Sequence, residues 1–222
     1  MPLKIDPHIH THYSYDSTIT PKELVTYAKK RGLDAVVVTD HDTIEGALKL
    51  SKHKDFLIIP GIEVYTPHGH VLGLNVSERI PSMLDVLTTI QKIHEAGGIA
   101  IAAHPTALYM GNLRRHMIGK FDAVEVINAS SIPFRFSNHI NRKLAEELNL
   151  PQTGGSDAHY APEIGMAYCS VEASLEKEEI VAAIKNGKIT ACGRAIPWMM
   201  RLKREAFNLK RMARIQSSKF SS

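Results

Sequence analysis

Short apolar runs of strand length recur along this chain. Most lie next to a histidine or carboxylate, and helix-like segments separate many of them. Leu3 to Ile5 leads to His8-Ile9-His10. Ala35-Val36-Val37-Val38-Thr39 is mostly β-branched and apolar, as a strand covered on both faces should be, and Asp40-His41-Asp42 follows at once. Phe56-Leu57-Ile58-Ile59 runs into Pro60-Gly61-Ile62, which should break or bend the strand, with Glu63 directly after. His70 precedes Val71-Leu72-Gly73-Leu74. Ile99 to Ala103 ends at His104-Pro105, Ala123 to Ile127 ends at Asn128, and Pro151 to Ser156 leads to Asp157-Ala158-His159. Lys188 to Cys192 is the last run of this kind.

The segments between carry helix signals. Thr20 is placed to cap a helix that starts with Pro21, and Gly32 to end it. Thr43 should cap a second, through Lys52. Met83, Leu84, Leu87, Ile90 and Ile93 recur at helical spacing within Pro81 to Ala96, which Gly97-Gly98 stops. Further helices are expected over Ser137 to Leu148, Leu175 to Asn186 and Pro197 to Ile215. Strand alternating with helix is the grammar of an α/β fold with a largely parallel sheet. A count of about seven or eight strands favours a TIM-like barrel over an open sheet. In a parallel barrel the C-terminal strand ends open on one face, where sites are built. Scattered surface histidines would have no reason to choose strand ends. His8 and His10, two apart on extended backbone, point to the same side and can share one cation.

With 222 residues, 44% of them hydrophobic, the chain can bury one large core. Its net charge of +4 is modest. The only cysteines are Cys169 and Cys192, with no CxxC, which argues against a disulfide framework or a zinc knuckle. A reduced, cytoplasmic compartment is the natural expectation. No signal peptide precedes the histidine pair, and no apolar run approaches the ~20 residues that span a bilayer. We expect a barrel over residues 1–195 and a basic C-terminal helix and tail over 196–222. In that tail Arg201, Lys203, Arg204, Lys210, Arg211 and Arg214 stand against Glu205 alone. It either packs on the barrel with a solvated basic face or attracts a nucleic-acid backbone or acidic substrate.

Six stretches, His8-Ile9-His10-Thr11, Thr39-Asp40-His41-Asp42, Pro60-Gly61-Ile62-Glu63, His70-Val71-Leu72-Gly73, Ala103-His104-Pro105 and Gly155-Ser156-Asp157-Ala158-His159, resemble the ordered motifs of the PHP (polymerase and histidinol phosphatase) family. The resemblance runs from Leu3 to Cys192. It implies a distorted (β/α)7 TIM-like barrel, a trinuclear centre of divalent ions and hydrolysis of phosphate esters by a hydroxide shared between metals. Carried over residue by residue, it implies that His8, His10, Glu63 and Asp157 hold the first ion. Glu63 bridges to a second completed by His70 and His104, and Asp16, His41 and His159 hold the third. His12 competes with Asp16, and His68 with His70. Asp157 and His159 are also candidates to pass on a proton.

Imidazole and carboxylate donors without thiolates suit Zn²⁺, Mn²⁺ or Fe²⁺. Asp6, Asp40 and Asp42 are candidate acceptors for histidine N–H groups, or else turn and capping residues. A phosphate ester also needs guanidinium groups, for which Arg135 is the first choice, then Arg114 and Arg115. Asn128 and His116 are weaker candidates for substrate contact. Two function classes follow. One is a phosphoesterase acting on a small phosphorylated metabolite, a nucleotide or a short oligonucleotide. The other is a non-catalytic barrel serving as an RNA- or polymerase-associated subunit. Oligomeric state is not legible.

Overall fold

The computed structural model describes residues 1–106, 113–116 and 120–219; the side chains of Arg114, Arg115 and residues 210–219 lie outside the described set. Nine strands form one sheet: β1 (Leu3–Ile9), β2 (Ala35–Val38), β3 (Leu57–Thr66), β4 (Gly69–Leu74), β5 (Ile99–Ala102), β6 (Ala123–Asn128), β7 (Gln152–Gly155), β8 (Ala167–Val171) and β9 (Ile189–Gly193). Their order is β7-β6-β5-β4-β3-β2-β1-β8-β9. The sheet curls until its two sides almost meet. Past the end of β7, the Asp157 N–H donates to His8 O at 2.9 Å and the His10 N–H to Ala158 O at 3.0 Å, which ties that end to β1. Gly155 allows the approach, since a Cβ there would lie 2.6 Å from both Glu125 Oε1 and the His8 Cβ. The result is an α/β fold with a nearly closed, barrel-shaped sheet.

The sheet is not largely parallel. Four strand pairings are parallel and four antiparallel. β4 runs against both β3 and β5, and β8 against both β1 and β9. Each strand of the pair β3–β4 is joined by a turn of two residues, which only an antiparallel pair allows. Reversal also puts His70, at the start of β4, at the same mouth as the C-terminal ends of its antiparallel neighbours β3 and β5.

Both faces of the sheet are buried. Val36 and Val38 pack with Leu24 and Ala28 of α1 (Pro21–Lys30), while Ala35 and Val37 turn the other way to meet Ile5, Ile59, Leu72 and Ile101. A fully buried aliphatic side chain contributes ~1.5–3 kcal/mol, so this double layer is what holds the mouth in shape. α1 starts as expected: Thr20 and Glu23 form a capping box, and Gly32 follows the last turn at φ 68°. α2 (Glu45–Leu50) has no side-chain cap at its N-terminus; Thr43 accepts instead from the Glu45 N–H. α3 (Val86–Glu95) is shorter than its periodicity implied, because Asp85 caps it and Met83 lies outside at φ 62°, exposed. α4 (Phe134–Glu147) and α5 (Lys177–Lys185) cover the sheet.

The C-terminal helix α6 (Trp198–Lys219) folds back on the barrel. The Ile196 N–H donates to Ala129 O, and Arg201 donates to the carbonyls of Ile196, Ala129 and Ser130. Among the described residues no helix is long and apolar enough to cross a membrane. Both cysteines are free thiols.

Candidate metal centre

Glu63 is the hub. It lies within the ten-residue β3, not after it, because Pro60 and Gly61 stay in the strand, paired with β2 and β4. The segment after β2 continues beside it: the Glu63 N–H donates to Asp40 O and the Asp42 N–H to Glu63 O. That brings His41 alongside. Five imidazoles reach the Glu63 carboxylate. His8 Nε2, His10 Nε2 and His41 Nδ1 lie 3.2, 3.1 and 3.2 Å from Oε2, and His70 Nδ1 and His104 Nε2 lie 2.7 and 3.1 Å from Oε1. All six side chains are buried.

Asp157 sits on the far side of the histidine pair, its Oδ1 3.2 Å from His10 Nε2 and 3.5 Å from His8 Nε2. Asp16 joins His41 Nε2 at 3.3 Å and His159 Nε2 at 3.2 Å. Three sets of donor atoms are close enough to share an ion: His8, His10, Glu63 and Asp157; His41, Glu63 and His70; and His10, His41 and His159. The first coincides with the set carried over for the first ion. The others overlap the remaining two, with His41 also meeting Glu63. His104 and Asp157 take positive φ, 28° and 52°, a conformation L residues adopt reluctantly. Such backbone persists where its surroundings over-determine it, and functional sites are where it gathers.

The chemistry of the pocket fits divalent cations. His10 Nε2, His41 Nδ1 and Asp16 Oδ1 are buried and make no hydrogen bond among the described residues. An unsatisfied buried polar atom costs ~1–3 kcal/mol, so two imidazole nitrogens set against carboxylates, with an open carboxylate oxygen beside them, are hard to explain as packing. Burial opposes ionisation of Glu63, but the imidazoles of His8, His70 and His41 outweigh it and hold its carboxyl well below the usual range. Asp157 is likewise held low against its burial, by His8, His10 and His159. Nitrogen and carboxylate donors, kept anionic and dry, suit Zn²⁺, Mn²⁺ or Fe²⁺.

Around these groups stands a support that sequence reasoning missed. Glu125 of β6 is buried; its Oε1 accepts from His8 Nδ1 at 2.9 Å, and its Oε2 from the His104 N–H and Asn128 Nδ2, both at 2.9 Å. The one signal was a glutamate inside the apolar run Ala123 to Ile127. Asn128 is buried, and its amide donates to Glu125 Oε2 and to Asp157 Oδ2 at 3.2 Å. Ser14 Oγ lies 3.3 Å from His10 Nδ1, and His159 Nδ1 donates to Asp157 O. Asp6, Asp40 and Asp42 are not acceptors for imidazole. Asp6 takes the N–H groups of Ser156 and Gly165, Asp40 takes Thr11, and Asp42 takes the Tyr65 N–H. They fasten loops.

The two competing histidines stand aside. His12 is exposed, its ring tilted 43° against that of Tyr13, and His68 stacks on His116 with centroids 3.5 Å apart. Arg135 is exposed in the first turn of α4, and among the described residues no contact joins it to the cluster. Arg114 lies in the short 3-10 turn Leu113–His116, its side chain outside the described residues, as is that of Arg115; so is most of the Thr106 to Lys120 loop. Among the described residues, the guanidinium groups that line a cavity beside the cluster belong to α6. A cavity of about 370 Å³ lies between the cluster and this helix, with Asp16, Asp157 and His159 on one wall and Arg201, Arg204, Glu205 and Asn208 on the other.

Comparison with known proteins bears on this arrangement. Residues 6–129 match the PHP domain family and residues 135–189 the PHP-associated family. The chain is 36% identical over 160 residues to an uncharacterized protein of Methanocaldococcus jannaschii, covering 66% of this chain and 94% of that one. It is 32% identical over 108 residues to a 5'-3' exoribonuclease of Haemophilus influenzae, covering 46% of this chain and only 39% of that enzyme. The fold resembles a crystal structure from Bacteroides vulgatus, a two-domain protein containing a predicted PHP-like metal-dependent phosphoesterase. The TM-score is 0.67 at 21% identity, over 87% of this chain and 65% of that one.

Proposed function

The chain belongs to the PHP domain family, and from that premise we propose that it is a metal-dependent hydrolase of phosphate esters with three divalent ions at the barrel mouth. The observation that carries this reading is the convergence of five buried imidazoles on Glu63, among which His10 Nε2 and His41 Nδ1 lie 3.1 and 3.2 Å from Oε2 without making a hydrogen bond among the described residues. His8, His10, Glu63 and Asp157 would hold one ion, Glu63 with His70 and His104 a second, and Asp16, His41 and His159 the third. Bound there, such ions lower the pKa of water and draw charge from phosphate oxygens.

The chain's own residues do the rest. Glu125 holds the Nδ1 proton of His8, so that Nε2 keeps its lone pair towards the centre. Asn128 fixes one oxygen of Asp157 and leaves Oδ1 facing the histidines. His159, partly exposed at the cavity wall, and Asp157 beside it can take up or pass on a proton as the ester oxygen departs. The substrate is a small phosphorylated metabolite, a nucleotide or a short oligonucleotide. Its place is the mouth of the barrel, in a reduced cytoplasmic compartment.

The test is hydrolysis of p-nitrophenyl phosphate by purified protein with added Mn²⁺, alongside metal analysis. We expect bound divalent metal, turnover, and loss of turnover with EDTA. A metal-loaded protein inert towards a panel of histidinol phosphate, nucleotides, a nucleoside 3',5'-bisphosphate and 5'-phosphorylated oligonucleotides would overturn the reading. If it also bound RNA with steep salt dependence, the non-catalytic class would replace it.

A further inference from the structure

The carboxylates and imidazoles of the cluster form only one wall of the cavity; the other belongs to α6. On that wall Arg201 is a strut, its guanidinium donating to the carbonyls of Ile196, Ser130 and Ala129 and thereby fastening the helix to the barrel. Arg204 is arranged differently. Its Nη1 donates to both oxygens of Glu163, at 3.1 and 3.3 Å, and its Nε to Glu205. Its Nη2 has no hydrogen-bond partner among the described residues, and the side chain keeps 17% of its surface exposed.

Glu163 explains why the group is held still. This carboxylate is fully buried, and it also accepts the backbone N–H groups of His159 and Tyr160. One anion therefore positions both the His159 loop and the guanidinium opposite it. A guanidinium fixed at one edge, with its other edge open, is pre-organised for an oxyanion.

From this geometry we propose that Arg204 binds the terminal phosphate of a phosphate monoester seated between α6 and the cluster. The inference rests on the phosphoesterase reading and narrows its substrate class. A terminal phosphate has three non-bridging oxygens, enough to serve the cluster on one side and an arginine on the other; a diester has two. Volume agrees: about 370 Å³ is near the small end of the ~300–1,000 Å³ usual for small-molecule sites. Charge agrees as well. Asp16, Asp157 and Glu205 all line the same space, so an incoming dianion needs a cation there.

The test uses the full chain loaded with Mn²⁺ and the variants Arg204→Gln and Arg204→Lys. Hydrogen bonds between charged partners are about twice as strong as neutral ones, so Arg204→Gln should raise KM for p-nitrophenyl phosphate by about 10–100-fold with little change in kcat. It should weaken calorimetric binding of inorganic phosphate by a similar factor. Turnover of bis-p-nitrophenyl phosphate should change less than about 3-fold by the same reasoning, and Arg204→Lys should recover part of the loss. If Arg204→Gln fails to fold because Glu163 is left unpaired, the double variant Glu163→Gln/Arg204→Gln removes that charge and should show the same loss of phosphate binding. Equal losses on both esters, or unchanged phosphate affinity, would overturn the proposal. If the wild type hydrolyses neither ester, the phosphoesterase reading fails, and the phosphate titration still decides the role of Arg204.

Discussion

Glu125 touches no substrate in this arrangement, yet its replacement by glutamine should disable the centre. The carboxylate accepts three hydrogen bonds, one from His8 Nδ1 on Oε1 and two, from the His104 N–H and Asn128 Nδ2, on Oε2. Glutamine has the same shape, but one end becomes an NH₂ donor. If the amide oxygen stays against His8, the NH₂ group meets two other donors. If the amide turns over, its oxygen takes those two and its NH₂ faces His8 Nδ1. The second arrangement is the cheaper, with one mismatch instead of two. His8 resolves that mismatch by moving its proton from Nδ1 to Nε2, the atom aimed at Glu63 and Asp157. A protonated Nε2 cannot donate to a cation. Losing such a supporting contact costs about 10–100-fold in metal affinity, or about 1.4–2.7 kcal/mol. Competition between the protein and a chromogenic chelator for Mn²⁺ or Zn²⁺ reads this directly. A folded Glu125→Gln protein that binds metal within about 2-fold of wild type would refute the tautomer argument.

Three further outcomes are expected. His41→Ala and Asp157→Asn should each lower phosphate-ester turnover by ~10²-fold or more, with unchanged circular dichroism; near-normal rates in both would remove the metal-centre mechanism. Asp122 carries the pH prediction. Burial opposes its ionisation, but the Ala100 N–H, His94 and Lys185 outweigh this and hold its pKa below the ordinary carboxylate value. The stabilisation is thus complete above about pH 4 and is lost as pH falls through the lowered folded-state value. Melting curves of wild type and Asp122→Asn should differ most near neutrality and converge in acid; a gap independent of pH would contradict this. Finally, burial pushes the Cys169 thiol up to about 12. A thiol reagent should label Cys192 in the native protein and Cys169 only on unfolding, and a native Cys192→Ser protein that still reacts would show otherwise.

The βα grammar, the Thr20 cap and the polar residues next to apolar runs were legible because each depends on local pattern. His8, His10, Asp16, His41, Glu63, His70, His104, Asp157 and His159 do gather at one mouth. Strand direction was not legible. Periodicity is the same forwards and backwards, so a largely parallel sheet was expected and the reversals of β4 and β8 were not. Pro60-Gly61 looked like a break, yet Gly61 is there because a Cβ would lie 2.7 Å from Val37 Cγ1 and 2.9 Å from Gly73 O. That is a demand of neighbouring strands, visible only once they pair. Glu125 was hidden for a similar reason: its partners are 117 residues away at His8 and 21 at His104. The basic face of α6 was plain in the sequence, but not which opening it would meet.

Glu63 projects from a ten-residue strand that pairs on one side with β2 and on the other with β4. Because alternate residues face opposite ways, one inserted or deleted position upstream in that strand would turn the carboxylate outward and take with it the partner of five imidazoles. The loops at the rim carry no such parity. Lineages of this barrel are therefore free to trade rim segments and acquire new ligands, while the length of one interior strand stays locked to the residue.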